Sequence, residues 1–406
     1  MSTSTAQKRK ILSNVSVGAP GMDLAALRNL AQAEPTEFVQ RTQALIDKGE
    51  FGWRDVRDLK AMFNALHDLE VEARVNVHGQ IRTVTSSAFP VLSGGLSVAA
   101  INDAYMAVPT IGQELVQDFD SAKEVATIVG LLAEAQSNLE RKEGEPYTLV
   151  GAGEERFDIG SAPKGLRMQI TQEMIERNDI ENVISRLNYL GEVPAEEIEE
   201  STLREVTDHD GSASSGANHV LTINKTGTSL YSSTANNPGA RAPSGTRVTN
   251  NALVDTSDLE AARARLAAME NSRGKRIAIP ISETVLLVPD ALAPTAQTLL
   301  NSMLTPGVMN EQNPWGPQGA YRPRLLSTPK LDDLSTSAWY LGAFRKQFRR
   351  KWAIRMEMVT MSGDVTNYLR SRIAFEARVA WDCKVGATDY VYVVQNLAGT
   401  TAPKDA

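Results

Sequence analysis

The chain has 406 residues, with 42 Lys and Arg against 49 Asp and Glu for a net charge of −7, and a single cysteine. That balance excludes a protein that coats nucleic acid with its whole surface, leaving only a local basic stripe for such work, and one cysteine excludes a disulfide within the chain. The polar start, MSTSTAQKRKILSNVSVGAP, carries no secretory apolar core, and no stretch approaches the roughly 20 apolar residues that span a bilayer, so the expectation is a soluble intracellular product.

The first 20 or so residues are rich in Ser and Thr and read as mobile. From residue 22 to about 77 the apolar spacing is helical: Leu24, Leu27, Leu30 and Ala31, then Phe38, Thr42 and Leu45, then Val56, Leu59, Met62, Phe63, Leu66 and Leu69. Three short helices are expected there. Residues 81–111, IRTVTSSAFPVLSGGLSVAAINDAYMAVPTI, are neutral, small and broken by Pro90, Gly94, Gly95 and Pro109. They read as an extended arm with too little bulk for a core. Residues 122–168 alternate in bursts, VATIVGLL and YTLVGAG followed by GEERFDIG and GLRMQI, with the charged joint LERKEGEP between the first two. This predicts a long hairpin, an element poorly stable alone.

Residues 170–206 are strongly helical, with Ile180, Val183, Ile184, Leu187 and Leu190 in one stripe continued by Ile198, Leu203 and Val206, and Pro194 is expected to kink or split the helix. Residues 207–250 are polar and loop-rich, with HVLTIN and SLYSS as strand candidates and little else that could pack. A helix over 259–269 (LEAARARLAAM) follows, capped by Asp255, Thr256 or Ser257. RIAIPI is a second apolar stretch. The run from Thr284 to Pro289, TVLLVP, reads as a strand covered on both faces. Asp290 then stands as an N-cap, with Pro294 in the first turn and a helix to about Met303. The last third alternates strands and breaks: RPRLLSTP, SAWYLGAF, WAIRMEMVTM, RIAFEARVAW and DYVYVVQN. In WAIRMEMVTM, Trp352, Ile354, Met356 and Met358 take one face and Arg355 and Glu357 the other. No internal repeat is visible.

Catalytic and metal chemistry find little support. His67, His78, His209 and His219 stand in unrelated contexts without HxxxH, HxH or CxxC spacing, so surface or structural roles are expected, no cofactor or metal is implied, and a cation at HDGS with His219 is matched by a plain polar loop. Cys383, in VAWDC, reads as a buried free cysteine. GAGEE at 151–155 is neither GxGxxG nor a Walker loop. The turn at Val288–Leu292 offers Asp290 and no other nucleophile or base. Glu196, Glu197, Glu199 and Glu200 form either a solvated face or half of a charge-complementary contact with a neighbouring subunit. One cluster is distinctive: Arg345, Lys346, Arg349, Arg350, Lys351 and Arg355 fall within eleven residues free of carboxylates, interleaved with Phe348 and Trp352. It suits phosphate backbones or an inter-subunit salt-bridge patch equally.

The order of these pieces resembles the major head subunit of Mu-like tailed phages, within the wider Hong Kong 97-like capsid fold. LRMQITQEMIERNDIENVISRLNYLG is similar to the start of that family's long spine helix after a charged hairpin, and the Thr284–Pro289 strand to its valine-proline step into a helix. WYLGAF, and RKWAIRMEMVTMSGDVTNYLRSRIAFEARVAWDCKVGATDYVYV with its acidic turn and short helix around Asp364 to Leu369, resemble its closing strands. The resemblance spans roughly residues 90–396 and implies an α+β chain with an N-arm, an extended hairpin loop, a peripheral domain with the spine helix and an axial domain. The boundaries expected are 1–80 for a helical extension, 81–119 for the arm, 120–168 for the hairpin, 169–206 for the spine helix, 207–345 for the axial domain and 346–406 for the closing strands and tail. It further implies a non-enzymatic shell protein that assembles with itself as pentamers and hexamers in the host cytoplasm. Portal, scaffold or maturation protease and decoration proteins are its partners, with non-specific contact to packaged double-stranded DNA and none to membrane. The alternative is an encapsulin-like nanocompartment shell. The lysine-asparagine cross-link of some relatives is not carried over, because Lys123, Lys142 and Lys164 near the hairpin match no motif for it.

Overall fold

The computed structural model describes residues 24–47, 51–53, 56, 58–66, 69–77, 80–133, 152–208, 220–223, 226–233, 241–271, 274–306, 311–362 and 373–399. Two compact units share the chain: a first of Met1–Pro109, Pro163–Glu197 and Ile354–Asp382, and a second of Thr110–Ala162, Ile198–Ala353 and Cys383–Ala406. The strands in chain order are β1 (Glu70–Val77), β2 (Gln80–Ser87), β3 (Gln117–Asp120), β4 (Val125–Ala133), β5 (Ala152–Gly160), β6 (Lys164–Thr171), β7 (Val220–Ile223) and β8 (Thr226–Ser229). There follow β9 (Arg247–Val248), β10 (Val285–Pro289), β11 (Arg324–Thr328), β12 (Trp339–Gly342), β13 (Phe348–Ser362), β14 (Ile373–Ala387) and β15 (Val393–Asn396). Helices and sheets alternate without a repeating βαβ unit, so the chain is α+β.

In the first unit the expected helices form at Leu24–Ala33, Pro35–Asp47 and Leu59–Leu66, and bury Leu27, Leu30, Phe38, Met62 and Leu66. Helical spacing does not continue to residue 77 as expected, because EVEARVNV alternates with period two and forms β1, antiparallel to β2. A second correction concerns the arm. Residues Ala88–Ala107 form a 20-residue helix, not an extended segment, and it buries Phe89, Leu92, Leu96 and Ile101. Pro90 is tolerated because the first turn of a helix has no internal use for its N–H groups. Small residues here serve close approach: a Cβ on Gly95 would meet Ile46 Cδ1 at 3.0 Å, and one on Gly191 would lie 2.3 Å from the carbonyl oxygen of Ile101.

The long helix runs unbroken over Ile180–Thr207, through a buried Pro194. It is therefore not split where proline predicted. The break comes earlier, where Asn178 adopts φ 55 after the short helix Gln172–Glu176, a conformation that a right-handed helix cannot contain. Asn178 Oδ1 then accepts the backbone N–H of Leu59 at 2.7 Å, supplying a partner at the start of the Leu59–Leu66 helix. In the same unit β6 pairs antiparallel with β14, from Ile373 opposite Thr171 to Trp381 opposite Lys164.

The second unit is built on a five-stranded sheet of order β11-β10-β12-β15-β9. β10 is parallel to β11 and antiparallel to β12, so it pairs on both edges as well as being covered on both faces. Leu286 and Val288 join Leu341 and Trp339 against the helices Thr256–Ala267 and Ala293–Asn301, through Leu259, Ala262, Ala296 and Leu299. Leu287 joins Tyr340, Val393, Leu203 and Val206 on the other side. The first of those helices starts on the expected cap: Asp255 accepts from Ser257 N at 2.8 Å while Asp258 accepts from the backbone of Asp255.

Several expectations fail in this unit for local reasons. Asp290 caps nothing with its side chain: a 3-10 turn, Asp290–Leu292, precedes the helix, which ends at Asn301. Residues 207–250 were expected to hold little that packs, yet Leu230 and Tyr231 are fully buried and Arg241 nearly so. SLYSS contributes only Ser229 to a strand, β8. Of the WAIRMEMVTM face, Trp352 is buried, Ile354 is exposed and Met356 and Met358 are half-buried.

The expected hairpin is present as β4 and β5, in register from Val125 opposite Gly160 to Ala133 opposite Ala152. The Ser/Thr-rich start, the hairpin tip, the turn around Asp364 to Leu369 and Lys142 lie outside the described residues, as do all four histidines.

Candidate functional site

The basic segment begins where β12 ends. A Cβ on Gly342 would sit 2.2 Å from the Tyr392 carbonyl oxygen, so only glycine lets the chain turn there into the one-turn helix Phe344–Gln347. Phe344 and Phe348 stack inside the unit at 6.4 Å between ring centroids. Between them Gln347 is fully buried. Its Oε1 accepts the N–H groups of Tyr392 and Val393 at 3.0 and 2.9 Å, and its backbone carbonyl accepts from Thr388 N at 2.8 Å. The loop ahead of β15 is thereby tied to the start of β13.

The six basic residues then part company. Arg345 and Lys346 are exposed, and Lys346 pairs with Glu283 at 2.5 Å. Arg349 is half-buried and its Nε is enclosed without an acceptor. Arg350 is 4% exposed and meets Asp118, its partner in the parallel β13–β3 register, in a two-point contact of 2.7 and 3.0 Å. Lys351 is 0% exposed and donates to the carbonyl of Glu124 at 2.7 Å and to Ser161 Oγ at 2.9 Å. Arg355 is exposed on the part of β13 that belongs to the first unit. Arg350 and Lys351 are thus internal ties and not members of a surface patch. The reason is register: β3 brings a carboxylate opposite Arg350, and no spacing along the sequence announces a partner 232 positions away.

The acidic run divides in the same way, with Glu196 and Glu200 exposed and Glu199 buried. Glu199 is 2% exposed and accepts Ile111 N at 2.9 Å and Gly112 N at 2.9 and 3.1 Å. It satisfies donors at the start of the short helix Gly112–Leu115, where negative charge is favourable. Glu197 pairs with Lys164 and accepts from Trp381 Nε1 at 3.1 Å, both within the first unit. Glu200 pairs with Arg204 one turn on, and Glu196 alone is exposed without such a tie in the described contacts.

The end of the long helix forms a further buried polar group that sequence reading missed. Tyr231 and Tyr340 donate their hydroxyls to the carbonyls of Val206 and Thr207 at 2.9 and 3.2 Å, giving partners to C-terminal carbonyls of that helix. Burial pushes both phenols well above their ordinary pKa, and burial also lowers the Arg247 guanidinium, which donates to Gln395. Arg241 pairs with Asp389 at 3.0 Å and lies 5.5 Å from the centroid of the Tyr390 ring.

Among the described residues no group of His, Cys, Asp and Glu is placed to hold a metal ion, and no helix is long and apolar enough to cross a membrane. Cys383 is half-buried and free of any disulfide. At the Val288–Leu292 turn Asp290 is exposed, and the N–H of Ala291 goes to Asp332 Oδ1 at 3.1 Å.

No curated protein matches the chain. Among solved structures it is similar to the capsid of the cyanophage P-SCSP1u, at 13% identity and a TM-score of 0.48 over 71% of this chain and 88% of that one. A second is the mature capsid of bacteriophage PhiM1, at 10% identity and 0.47 over 71% and 87%. A third is the virus-like particle from Pyrococcus furiosus, at 6% identity and 0.42 over 73% and 96%. In sequence the model of the family described as "Phage capsid protein" matches residues 161–396. That match takes in the long helix, the sheet around β10 and the closing strands, and on it the chain belongs to the phage capsid protein family.

Proposed function

We propose that this capsid protein is the major, repeated subunit of a Hong Kong 97-like icosahedral head of a tailed phage, built from pentamers and hexamers around double-stranded DNA. The observation that carries the reading, beside the family, is the β4–β5 hairpin: among the described residues it pairs with no third strand. A two-stranded ribbon is at best marginally stable alone in water. Neighbouring copies supply its missing cover, and rotational symmetry repeats that contact around each capsomer. On this reading residues 120–168 are the extended loop, 169–206 with the closing strands the peripheral domain and 207–345 the axial domain. The subunit has no enzymatic role, and a Mu-like head, with portal, scaffold or maturation protease as further partners, is its setting.

Sedimentation and negative-stain imaging of the purified full chain test this. Closed shells of uniform size are expected, and a small oligomer under all assembly conditions would overturn it. Shells from the native source that hold a protein cargo instead of DNA would favour the nanocompartment alternative. Of the basic cluster, Arg345 and Arg349 are the residues of the second unit left for an outside partner. If they face DNA, Arg345→Gln with Arg349→Gln leaves shells intact and impairs genome retention. If capsomers fail to form instead, the contact is between subunits.

A further inference from the structure

We propose that the Lys351 ammonium is a latch that holds the β4–β5 hairpin in one orientation relative to the sheet strand it leaves. This rests on the shell reading only for its purpose; the latch itself stands on geometry within the second unit. Glu124 and Ser161 are the residues just outside the first paired rung, Val125 opposite Gly160. Each is the foot of one hairpin strand. Ser161 N donates to the Glu124 carbonyl at 3.2 Å, and Lys351 Nζ reaches both feet. One side chain on β13 therefore closes the base of the ribbon.

The cost of this arrangement explains why it acts as a latch. Lys351 is fully buried and both acceptors named are neutral, so the ammonium has given up water for two hydrogen bonds. Swinging the hairpin away strips both bonds from the ammonium at once. The rest of the root is held too. Arg350 and Asp118 lock β3 to β13 immediately before the hairpin, and Ser121 N donates to the Trp352 carbonyl at 2.8 Å. Ala126 and Ile159 are buried, and a Cβ on Gly386 would meet Ile159 Cγ1 at 2.7 Å. Val125, in the first rung, is 48% exposed, so the packing of the root runs through Ala126 and Ile159 in the second. Hydrogen bonds and packing together make the root a place where orientation is decided. A preset direction lowers the ordering cost that a neighbour must meet on docking.

Hydrogen exchange on the unassembled full chain tests the latch with Lys351→Met, which keeps the length and removes the charge. Opening of the amides of residues 125–133 and 152–160 should rise about ten- to a hundredfold, the loss expected for hydrogen bonds from a charged donor, while the amides of β10 and β12 stay as they were. Ser161→Ala, which leaves the Glu124 contact, should give a smaller rise in the same amides and covers the case in which Lys351→Met fails to fold. Unchanged hairpin exchange in either variant, or an equal rise throughout the unit, would overturn the latch. Shell formation by the unaltered chain is read separately, so its failure would sink the functional reading and leave the exchange result standing.

Discussion

Leu286 and Leu287 are consecutive in β10, both 0% exposed, and pack into different cores: Leu286 beneath the helices Thr256–Ala267 and Ala293–Asn301, Leu287 against Tyr340 and Val393. Because side chains alternate along a strand, an unbroken apolar run on a strand places adjacent residues on opposite faces. Substitution at either position should be severe and independent. Leu286→Ala and Leu287→Ala should each cost about 2–5 kcal/mol, read by urea denaturation, and Leu286→Asp should prevent folding or assembly. Recovery of normal particles from the aspartate variant would contradict burial on that face.

The Arg350–Asp118 pair should be worth more than an ordinary surface ion pair, since the guanidinium is 4% exposed, but less than a fully enclosed one, since the carboxylate is 36% exposed. A double-mutant cycle with Arg350→Met and Asp118→Asn should give a coupling of about 1–3 kcal/mol. Arg350→Lys should recover less than half of the loss, because an ammonium cannot make the two-point contact.

Gly191→Ala should destabilise the first unit by about 1–3 kcal/mol, the usual cost of overpacking. The new methyl would lie 2.3 Å from the Ile101 carbonyl oxygen and 2.8 Å from Ala104 Cβ. Thermal unfolding reads the loss, and an unchanged midpoint would show that the two backbones do not approach this closely.

Alkaline stability should report Tyr231 and Tyr340. Their folded pKa values lie above the ordinary 10.0, chiefly from burial. The stabilisation is therefore fully present below about pH 10 and is lost as pH rises above that, when the unfolded chain ionises and the folded one resists. Tyr231→Phe should flatten the alkaline slope while lowering stability at neutral pH by about 1 kcal/mol for the lost bond to Val206. Tyrosinate absorbance at the unfolding midpoint checks both.

At the acid end Asp255 acts with the opposite sign. Its hydrogen bonds from Ser257 hold the carboxyl below the ordinary 3.8, so the cap contributes above that pH and is lost as pH falls through the folded value. Asp255→Asn should keep most of the cap and remove its share of the acid slope. A slope identical to that of the unaltered chain would assign the acid response to other carboxylates.

Much of this organisation is legible along the chain. The strand at Thr284–Pro289, the cap at Asp255, the β4–β5 hairpin and the strands of the last third are local patterns, decided by period, proline and capping chemistry over a few residues. The 88–107 segment was misread because small residues look weak when judged by bulk. Gly95 and its neighbours are small so that helices can touch backbone to side chain, a reason invisible until Ile46 is in place. The charged clusters failed likewise: Arg350, Lys351 and Glu199 look like surface charge in one dimension.

The sequence by itself determined where the chain is helical or extended over most of its length and where its two-faced buried strand lies. Only the tertiary structure decided which charges face water and which serve as internal ties, because burial and pairing depend on residues such as Asp118, Glu124 and Ser161, brought to Arg350 and Lys351 by strand register. A charge is stable inside a protein when a partner meets it there, and that partner can stand anywhere along the chain.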